Sequence, residues 1–135
     1  MRITAAVTAE LVAHAREEAP NECCGLLLER AGEIVAGVRA RNAHASPSRY
    51  LVHPEDHFGA IRRARREGLT LAGAYHSHPR SPAQPSATDV AEAHDPELLY
   101  VIVALNDGSG WRVPDLRAWR LAKGSARAVL LSITP

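Results

Sequence analysis

Two histidines separated by one residue have the clearest chemical meaning in this sequence. His76 and His78 end the segment LTLAGAYHSH (69–78), which has the composition of a β-strand. Because successive side chains of a strand point to opposite faces, the two imidazoles lie on one face and Ser77 lies on the other. Two imidazole nitrogens can therefore converge on one cation.

A carboxylate follows at a spacing that provides a third metal ligand. Pro79 ends the strand, residues 80–87 (RSPAQPSA) form a stiff loop, and Asp89 lies in a short helix predicted over 86–94. Two neutral imidazoles and a carboxylate fill three positions of tetrahedral zinc and leave the fourth for water, as in catalytic zinc sites. Such a zinc ion lowers the pKa of water to about 7 and polarises a carbonyl group, which favours amide hydrolysis.

Hydrolysis also needs a proton shuttle and a donor for the developing oxyanion. Glu22 precedes the apolar run CCGLLLE (23–29) and is a candidate general base, and Ser86 could donate its hydroxyl to the oxyanion. Both residues also have simpler interpretations. Glu22 could be an exposed charge at a strand end, and the segment from Ser86 to Asp89 fits the capping box of the short helix.

Taken together, these residues resemble the signature of a known family. His76-Ser77-His78-Pro79, then Ser86 and Asp89, with Glu22 upstream, is similar to the motif of the JAMM metalloproteases, the catalytically competent MPN-plus domains, in their compact prokaryotic form. The resemblance covers almost the whole chain, because further positions recur at the expected intervals. These positions are 21–27 (NECCGLL), Asn42, Ser46, Pro47, Tyr50 and Pro54.

The resemblance implies a fold, a cofactor and a reaction. The fold is a mixed α/β fold of the cytidine-deaminase-like type, with a curved mixed β-sheet flanked by helices. One zinc ion per chain is held by His76, His78 and Asp89, while Glu22 is the general base for a metal-activated water and Ser86 steadies the oxyanion. The enzyme is a metallopeptidase or isopeptidase that cuts after the C-terminal Gly-Gly of a ubiquitin-like or sulfur-carrier protein.

Two other functions are compatible with the residues. A non-cleaving MPN-type module could bind a ubiquitin-like partner, although the filled Glu22, Ser86 and ligand positions argue against it. A zinc hydrolase of small amides is the other alternative, although the combination of H-x-E with P-C-x-x-C that is typical of zinc deaminases is absent from the sequence. The chain is also too short for the insertions with which eukaryotic deubiquitinating members grip ubiquitin chains.

Composition limits the setting in which this chemistry takes place. With 135 residues, the chain is expected to form a single domain over 1–135. A net charge of +1 and an aromatic content of 4% argue against nucleic-acid and membrane-surface partners. No apolar run approaches the length of a membrane span, so we expect a cytoplasmic protein. Cys23 and Cys24 are expected to be reduced and buried, and a redox role and a homodimer stay open.

The elements that must position these residues can also be predicted. Residues 23–29 and 33–40 should form a hairpin around Ala31-Gly32, and 97–105 a central strand. The remaining expected elements are a helix from Thr8 to Pro20, a short strand at 50–52, a helix from Pro54 to Gly68, strands at 116–122 and 126–133, and turns at 106–110 and 123–124.

The helix after Pro54 shows a periodicity that assigns its faces. Phe58 and Ile61, together with Ala64 or the stem of Arg65, are expected to face the core. The arginines of this helix, at positions 62, 63, 65 and 66, are expected to face water, because the chain as a whole is nearly neutral.

Overall fold

The computed structural model describes residues 1–105, 114–122 and 124–135. Strands and helices alternate irregularly along this part of the chain, which is typical of a mixed α/β protein. In chain order the elements are β1 (Arg2–Thr4), α1 (Ala5–Glu18), β2 (Cys24–Arg30), β3 (Glu33–Ala40), α2 (Pro54–Glu67), β4 (Thr70–His78), α3 (Ala87–Glu92), β5 (Leu99–Ala104), β6 (Asp115–Ala122), β7 (Ser125–Val129) and β8 (Ser132–Thr134).

The strands form one curved sheet in the order β7-β6-β5-β4-β2-β3-β1-β8. β4 pairs with β5 in parallel, β1 pairs with β3 and β8 in parallel, and the other neighbours are antiparallel. Only Leu130 and Leu131 separate β7 from β8, although these strands lie at opposite ends of the sheet. Because so short a connection reaches only about 10 Å, the sheet must curl until its edges approach each other. The predicted curved mixed sheet with flanking helices is confirmed.

Each face of the sheet is covered by one of the two long helices. α1 packs on one face, where Leu11 and Tyr75 belong to the same buried cluster. α2 covers the other face through Ala60, which clusters with Ala74. Neighbouring residues of β4 therefore enter different cores, and Tyr75 faces away from His76.

Gly25 of β2 allows the ring of Tyr75 to approach the backbone of the sheet closely. A Cβ atom at this position would lie 2.3 Å from Cε1 of Tyr75 and 2.4 Å from the carbonyl oxygen of Val38. The Tyr75 hydroxyl is fixed by a 2.7 Å hydrogen bond to Nδ1 of His14, which is buried. The ring therefore cannot move aside without breaking this bond.

Replacing Gly25 by Ala is expected to destabilise the protein by about 3 kcal/mol or more, because the extra methyl group overpacks a close-packed core. Gly59→Ala is the matched control. Gly59 lies in α2, and the nearest atom to an added Cβ is the end of the Arg62 side chain at 3.9 Å. This control is expected to stabilise the protein by about 0.5–1 kcal/mol. Urea denaturation measures both changes, and equal effects would contradict the packing of Tyr75 against Gly25.

Several predicted elements are confirmed. The hairpin of β2 and β3 turns through Ala31 and Gly32, both with positive φ (51° and 78°). α2 ends at Gly68, whose left-handed conformation (φ 67°) closes the helix. β4, α3, β5 and β6 match the predicted segments to within a few residues. The predicted turn at 106–110 lies outside the described residues, as does Lys123 of the turn at 123–124.

The prediction for the start of the first helix was wrong. Thr4 caps α1, because its Oγ1 accepts a hydrogen bond from the amide of Val7 at 3.2 Å. Thr8 lies inside the helix, where its hydroxyl donates to the carbonyl oxygen of Thr4. Thr4 and Thr8 are one helical turn apart and have the same capping chemistry, so the residue type alone does not fix the start of the helix. None of the helices in the described part of the chain has the length and apolar character needed to cross a membrane.

Two strand predictions were also wrong. Residues 50–52 do not form a strand; Val52 makes only an isolated antiparallel bridge with Asn42. Residues 126–133 do not form one strand either, since the chain leaves β7 at Val129 and crosses to the opposite edge as β8. The continuous apolar pattern hid this break, because strands on both sides of it have similar composition.

The predicted inner face of α2 was wrong in part. Phe58 is 61% exposed, Ile61 is half-buried, and Ala60 and Ala64 are the buried residues. Small side chains here let the helix lie close to the sheet, which turns the larger ones outward. The arginines of this helix are exposed or half-buried, as predicted, and Arg63 pairs with Glu67.

Candidate metal centre

The end of β4 carries the first two candidate ligands. The side chains of His76 and His78 lie on one face of the strand and are both buried, as the alternation predicted. Ser77 points to the other face, where its Oγ accepts a 2.8 Å hydrogen bond from the amide of Cys23. This bond ties β4 to the start of β2 and fixes the strand where the two imidazoles leave it.

Asp89 is held at the imidazoles by the capping box of α3. Oγ of Ser86 accepts from the Asp89 amide at 3.0 Å, and the Ser86 amide donates to Oδ2 of Asp89 at 2.9 Å. The capping interpretation from the sequence is therefore correct. It does not compete with a ligand role, because the same cap fixes the buried carboxylate in the direction of His76 and His78.

Three electron-pair donors meet at this point. Nε2 of His76 and Nε2 of His78 lie 3.2 Å apart, and they lie 3.1 and 3.0 Å from Oδ2 of Asp89. Tetrahedral zinc, with bonds of about 2.0–2.1 Å, requires ligand atoms about 3.3–3.4 Å apart. The residues thus fit zinc in chemistry and in spacing. Within the described part of the chain, they form the one group of three or more such side chains that could hold a metal ion.

A hydrogen bond sets the orientation of the second imidazole. Nδ1 of His78 donates to the carbonyl oxygen of Pro82 at 2.8 Å. Since a carbonyl only accepts, the proton lies on Nδ1, and Nε2 of the neutral ring keeps its lone pair for a cation.

Burial and hydrogen bonding adjust the protonation of His76 and Asp89. Burial lowers the pKa of His76, which keeps this ring neutral. Burial alone would raise the pKa of Asp89, but the hydrogen bonds to His76 and His78 outweigh it and hold this pKa well below its usual range. A neutral imidazole and an ionised carboxylate are the forms that bind a metal ion.

Tyr50 covers the first imidazole. Its ring stacks on that of His76, with the centroids 4.2 Å apart and the planes at 17°. Asn42 shapes the loop that brings Tyr50 there, since its Nδ2 donates to the carbonyl oxygens of Glu22 and Arg49. Asn42 and Tyr50 are among the positions that recur in the family resemblance. Their contacts join segments that are distant along the chain, so no local sequence pattern predicted these contacts.

Glu22 lies buried beside this centre. The residue is only 5% exposed, and Oε1 of its carboxylate has no hydrogen-bond partner among the described residues. Burial raises the pKa of Glu22 to about 7, and the charges of His78 and Asp89 also act on it. The alternative of an exposed charge is therefore wrong. A buried, unpaired carboxylate costs stability, which is typical of functional residues.

The sequence profile of the prokaryotic homologues of the JAB domain (Prok-JAB) matches residues 4–122. The chain belongs to this family. The resemblance found from His76, His78, Ser86, Asp89 and Glu22 is thus confirmed.

Two curated relatives of this Prok-JAB chain are named as a protease and a peptidase. It is 37% identical over 107 residues, 78% of the chain and 71% of the relative, to a Thermus thermophilus protein named "Probable TtuB-protein conjugate cleaving protease". It is 32% identical over 117 residues, 85% of the chain and 78% of the relative, to the "CysO-cysteine peptidase" of Mycobacterium tuberculosis. The prediction that the chain is an enzyme of the metallopeptidase type is confirmed at the level of its family.

Solved structures confirm the predicted JAMM/MPN fold of the Prok-JAB chain. The solution structure of a Desulfitobacterium hafniense protein matches with a TM-score of 0.88 and 31% identity, covering 98% of this chain and 92% of that one. The crystal structure of a JAB1/MPN domain protein from Archaeoglobus fulgidus matches all of both chains with a TM-score of 0.62 and 17% identity.

Two cavities of the Prok-JAB domain adjoin the candidate site. One, of about 580 Å³, has a mainly apolar surface that includes Leu26, Tyr50 and Tyr100, and its lining also contains Asp89 and other acidic and histidine side chains. We call this cavity the apolar groove. The other, of about 530 Å³, is lined by Glu22 and Asn42 among mainly charged and polar residues. The first has the character of a groove for an extended segment of chain next to the metal centre.

Other cysteine and histidine side chains among the described residues do not belong to the group of candidate ligands. Cys23 and Cys24 are free and buried, and burial raises their pKa values to about 11 and about 12, so both thiols stay protonated. His53 caps α2, where its Nδ1 accepts a hydrogen bond from the Glu55 amide. His57 lines the apolar groove and belongs to no metal-binding group among the described residues.

Proposed function

We propose that this Prok-JAB protein is a zinc-dependent peptidase or isopeptidase that hydrolyses the bond after the C-terminal Gly-Gly of a ubiquitin-like or sulfur-carrier protein. The convergence of two imidazoles and a carboxylate within 3.2 Å supports this proposal most strongly, together with the buried Glu22, whose Oε1 has no hydrogen-bond partner in the part of the chain that the structure describes. A purely structural metal site would have no use for that additional carboxylate.

Five residues share the work in this proposal. His76, His78 and Asp89 would hold one zinc ion, which would supply a Lewis acid for a bound water and for the scissile carbonyl. Glu22, with a pKa of about 7, takes a proton from the attacking water and passes it to the departing amine. Oγ of Ser86 accepts from the Asp89 amide, so its hydroxyl hydrogen is free to bond the developing oxyanion.

The shape of the surface next to the metal centre supports a substrate with an extended tail. The apolar groove reaches Asp89, and Tyr50 forms part of its wall where it meets the ligands. Glycine residues carry no side chain and can pass such a wall closely. The names of the two curated relatives, which refer to TtuB conjugates and CysO-cysteine, are consistent with carrier-protein substrates.

A cleavage assay combined with elemental analysis tests this function. The substrate is a sulfur-carrier protein extended beyond its terminal Gly-Gly, and mass spectrometry locates the cut. One zinc per chain and a cut after the second glycine are expected. Zinc with binding but no cleavage would support the non-cleaving module instead, and cleavage of small amides alone would support the other hydrolase.

Replacing Ser86 by Ala is expected to lower kcat by about 10²–10³-fold, the usual effect of losing one oxyanion donor. Because the same oxygen caps α3, stability should also fall by about 1 kcal/mol. Ser86→Thr is the control, since it keeps a hydroxyl for both tasks. Steady-state kinetics and zinc analysis measure the outcome, and a kcat near the wild-type value in Ser86→Ala would leave Ser86 with the cap alone.

A further inference from the structure

We propose that Trp119 is a positioning residue for the metal centre, because it holds the loop that joins the two histidines to Asp89. This inference builds on the proposed function. Trp119 lies on β6, where it pairs with Tyr100 of β5, and β5 separates it from the strand that carries the histidines. Among the described residues, Trp119 makes no hydrogen bond to any of the three candidate ligands.

The contact of Trp119 with the loop is polar and directional. Its indole Nε1 donates to the carbonyl oxygen of Ala83 at 3.0 Å. Ala83 is 2% exposed and packs with Ile102 and Ala104 against the half-buried indole. A buried tryptophan normally places its N–H on an acceptor, and here that acceptor belongs to the ligand-bearing loop.

The neighbouring carbonyl of the same loop orients a ligand. The carbonyl oxygen of Pro82 accepts from Nδ1 of His78 at 2.8 Å. Two successive carbonyls are thus held by two donors, one on the ligand and one on Trp119. Three prolines between His78 and Ser86, at positions 79, 82 and 85, fix φ along the loop, so the segment moves largely as one body.

Loss of the indole donor therefore acts on His78 through the loop. The Ala83 carbonyl would be left buried without a partner, which costs about 1–3 kcal/mol unless the loop shifts to find one. A shift moves the Pro82 carbonyl away from Nδ1 of His78. The imidazole then loses the bond that fixes its tautomer and direction, and the loss of such outer partners typically lowers metal affinity by about 10–100-fold.

Zinc affinity of Trp119→Phe tests this role without any substrate. Phenylalanine keeps a ring against Ala83 but has no donor. Competition with a chromophoric chelator is expected to show a Kd for zinc at least about 10-fold higher than in the wild type. Leu121→Ala is the matched control, since Leu121 is buried on the same strand and on the same face by alternation. It should lower the melting temperature and leave the zinc Kd unchanged.

Nitrogen NMR of the imidazoles gives a second readout in the metal-free protein. A single Nδ1–H tautomer of His78 is expected in the wild type and in Leu121→Ala, and a mixture of tautomers in Trp119→Phe. An unchanged zinc Kd in Trp119→Phe, or an equal rise in Leu121→Ala, would overturn the positioning role. Absence of zinc binding in the wild type would instead overturn the proposed function, so the two failures are distinguishable.

Discussion

Glu22→Gln is expected to lower kcat by about 10²–10⁴-fold while one zinc per chain is retained. Glutamine has the size and shape of the buried side chain, but it cannot accept a proton from water at neutral pH. Glu22 does not belong to the group of candidate ligands, so metal content should not change. Single-turnover kinetics and elemental analysis on the same preparation measure both quantities. Wild-type turnover in the variant would show that another group is the base.

The same substitution is expected to stabilise the metal-free protein above neutral pH. Burial raises the pKa of Glu22 from 4.5 to about 7 in the folded state, whereas the unfolded chain ionises near the ordinary value. Below the unfolded pKa, the carboxyl is neutral in both states and costs nothing. As the pH rises from the unfolded pKa to the folded pKa, the unfolded chain releases a proton that the folded protein keeps, so the stability of the wild type falls relative to the variant. Above the folded pKa both states are ionised, and the difference stays constant.

The expected difference at pH 8 is about 1–3 kcal/mol in favour of Glu22→Gln, and it should vanish at pH 4. Melting temperatures of both proteins at the two pH values, in the presence of a chelator, measure it. A gain in stability joined to a loss of turnover would identify Glu22 as a residue kept for function at a cost in stability. Parallel pH dependences of the two proteins would contradict the raised pKa.

The part of the site that could be predicted from the sequence depends on local geometry. The shared face of His76 and His78 follows from the alternation of a strand, and the cap by Ser86 follows from a spacing of three at a helix start. The position of Asp89 relative to the imidazoles required more, because the path of a loop rich in proline is not fixed by periodicity. The resemblance to a family supplied that step.

The rest of the site depends on contacts between distant segments. Tyr50 reaches His76 across 26 positions, and the Tyr75 hydroxyl meets His14 across 61. The burial of Glu22 depends on the loop after β3, whose Ser46 carbonyl accepts from the Glu22 amide. No hydrophobic period encodes such pairs, so their residues resemble ordinary loop or surface positions in the sequence.

The fold shows the same limit at its edges. The paired strands β2 to β5 carry long apolar runs and were predicted with small errors in their ends. The pairing of β8 with β1 was not predicted, because Leu130 and Leu131 continue the apolar composition of β7 and no turn residue marks the end of that strand. The closing of the sheet is decided by pairing with the first strand of the chain, which is a tertiary contact.

Removal of one candidate ligand is expected to have the second large effect. In Asp89→Asn the zinc content should fall from one per chain to below about 0.1, and turnover should fall with it by at least about 10³-fold, because a neutral amide is a poor ligand and apo protein has no Lewis acid. The amide oxygen of asparagine can still accept from the Ser86 amide, so the cap of α3 should survive. The variant therefore separates the two roles of this residue, which Asp89→Ala would not.

His78→Ala provides the parallel test from the other side of the site. The zinc content of this variant should fall as far as that of Asp89→Asn. The stability of α3 should change little, because Ser86 and Asp89 keep their mutual hydrogen bonds. His94→Ala, at an exposed histidine outside the candidate group, is the control for metal content and should keep one zinc per chain. One zinc per chain in either ligand variant would contradict the assignment of that residue as a ligand. Loss of zinc with a melting temperature close to that of the metal-free wild type would show that the residues bind the metal rather than merely support the fold.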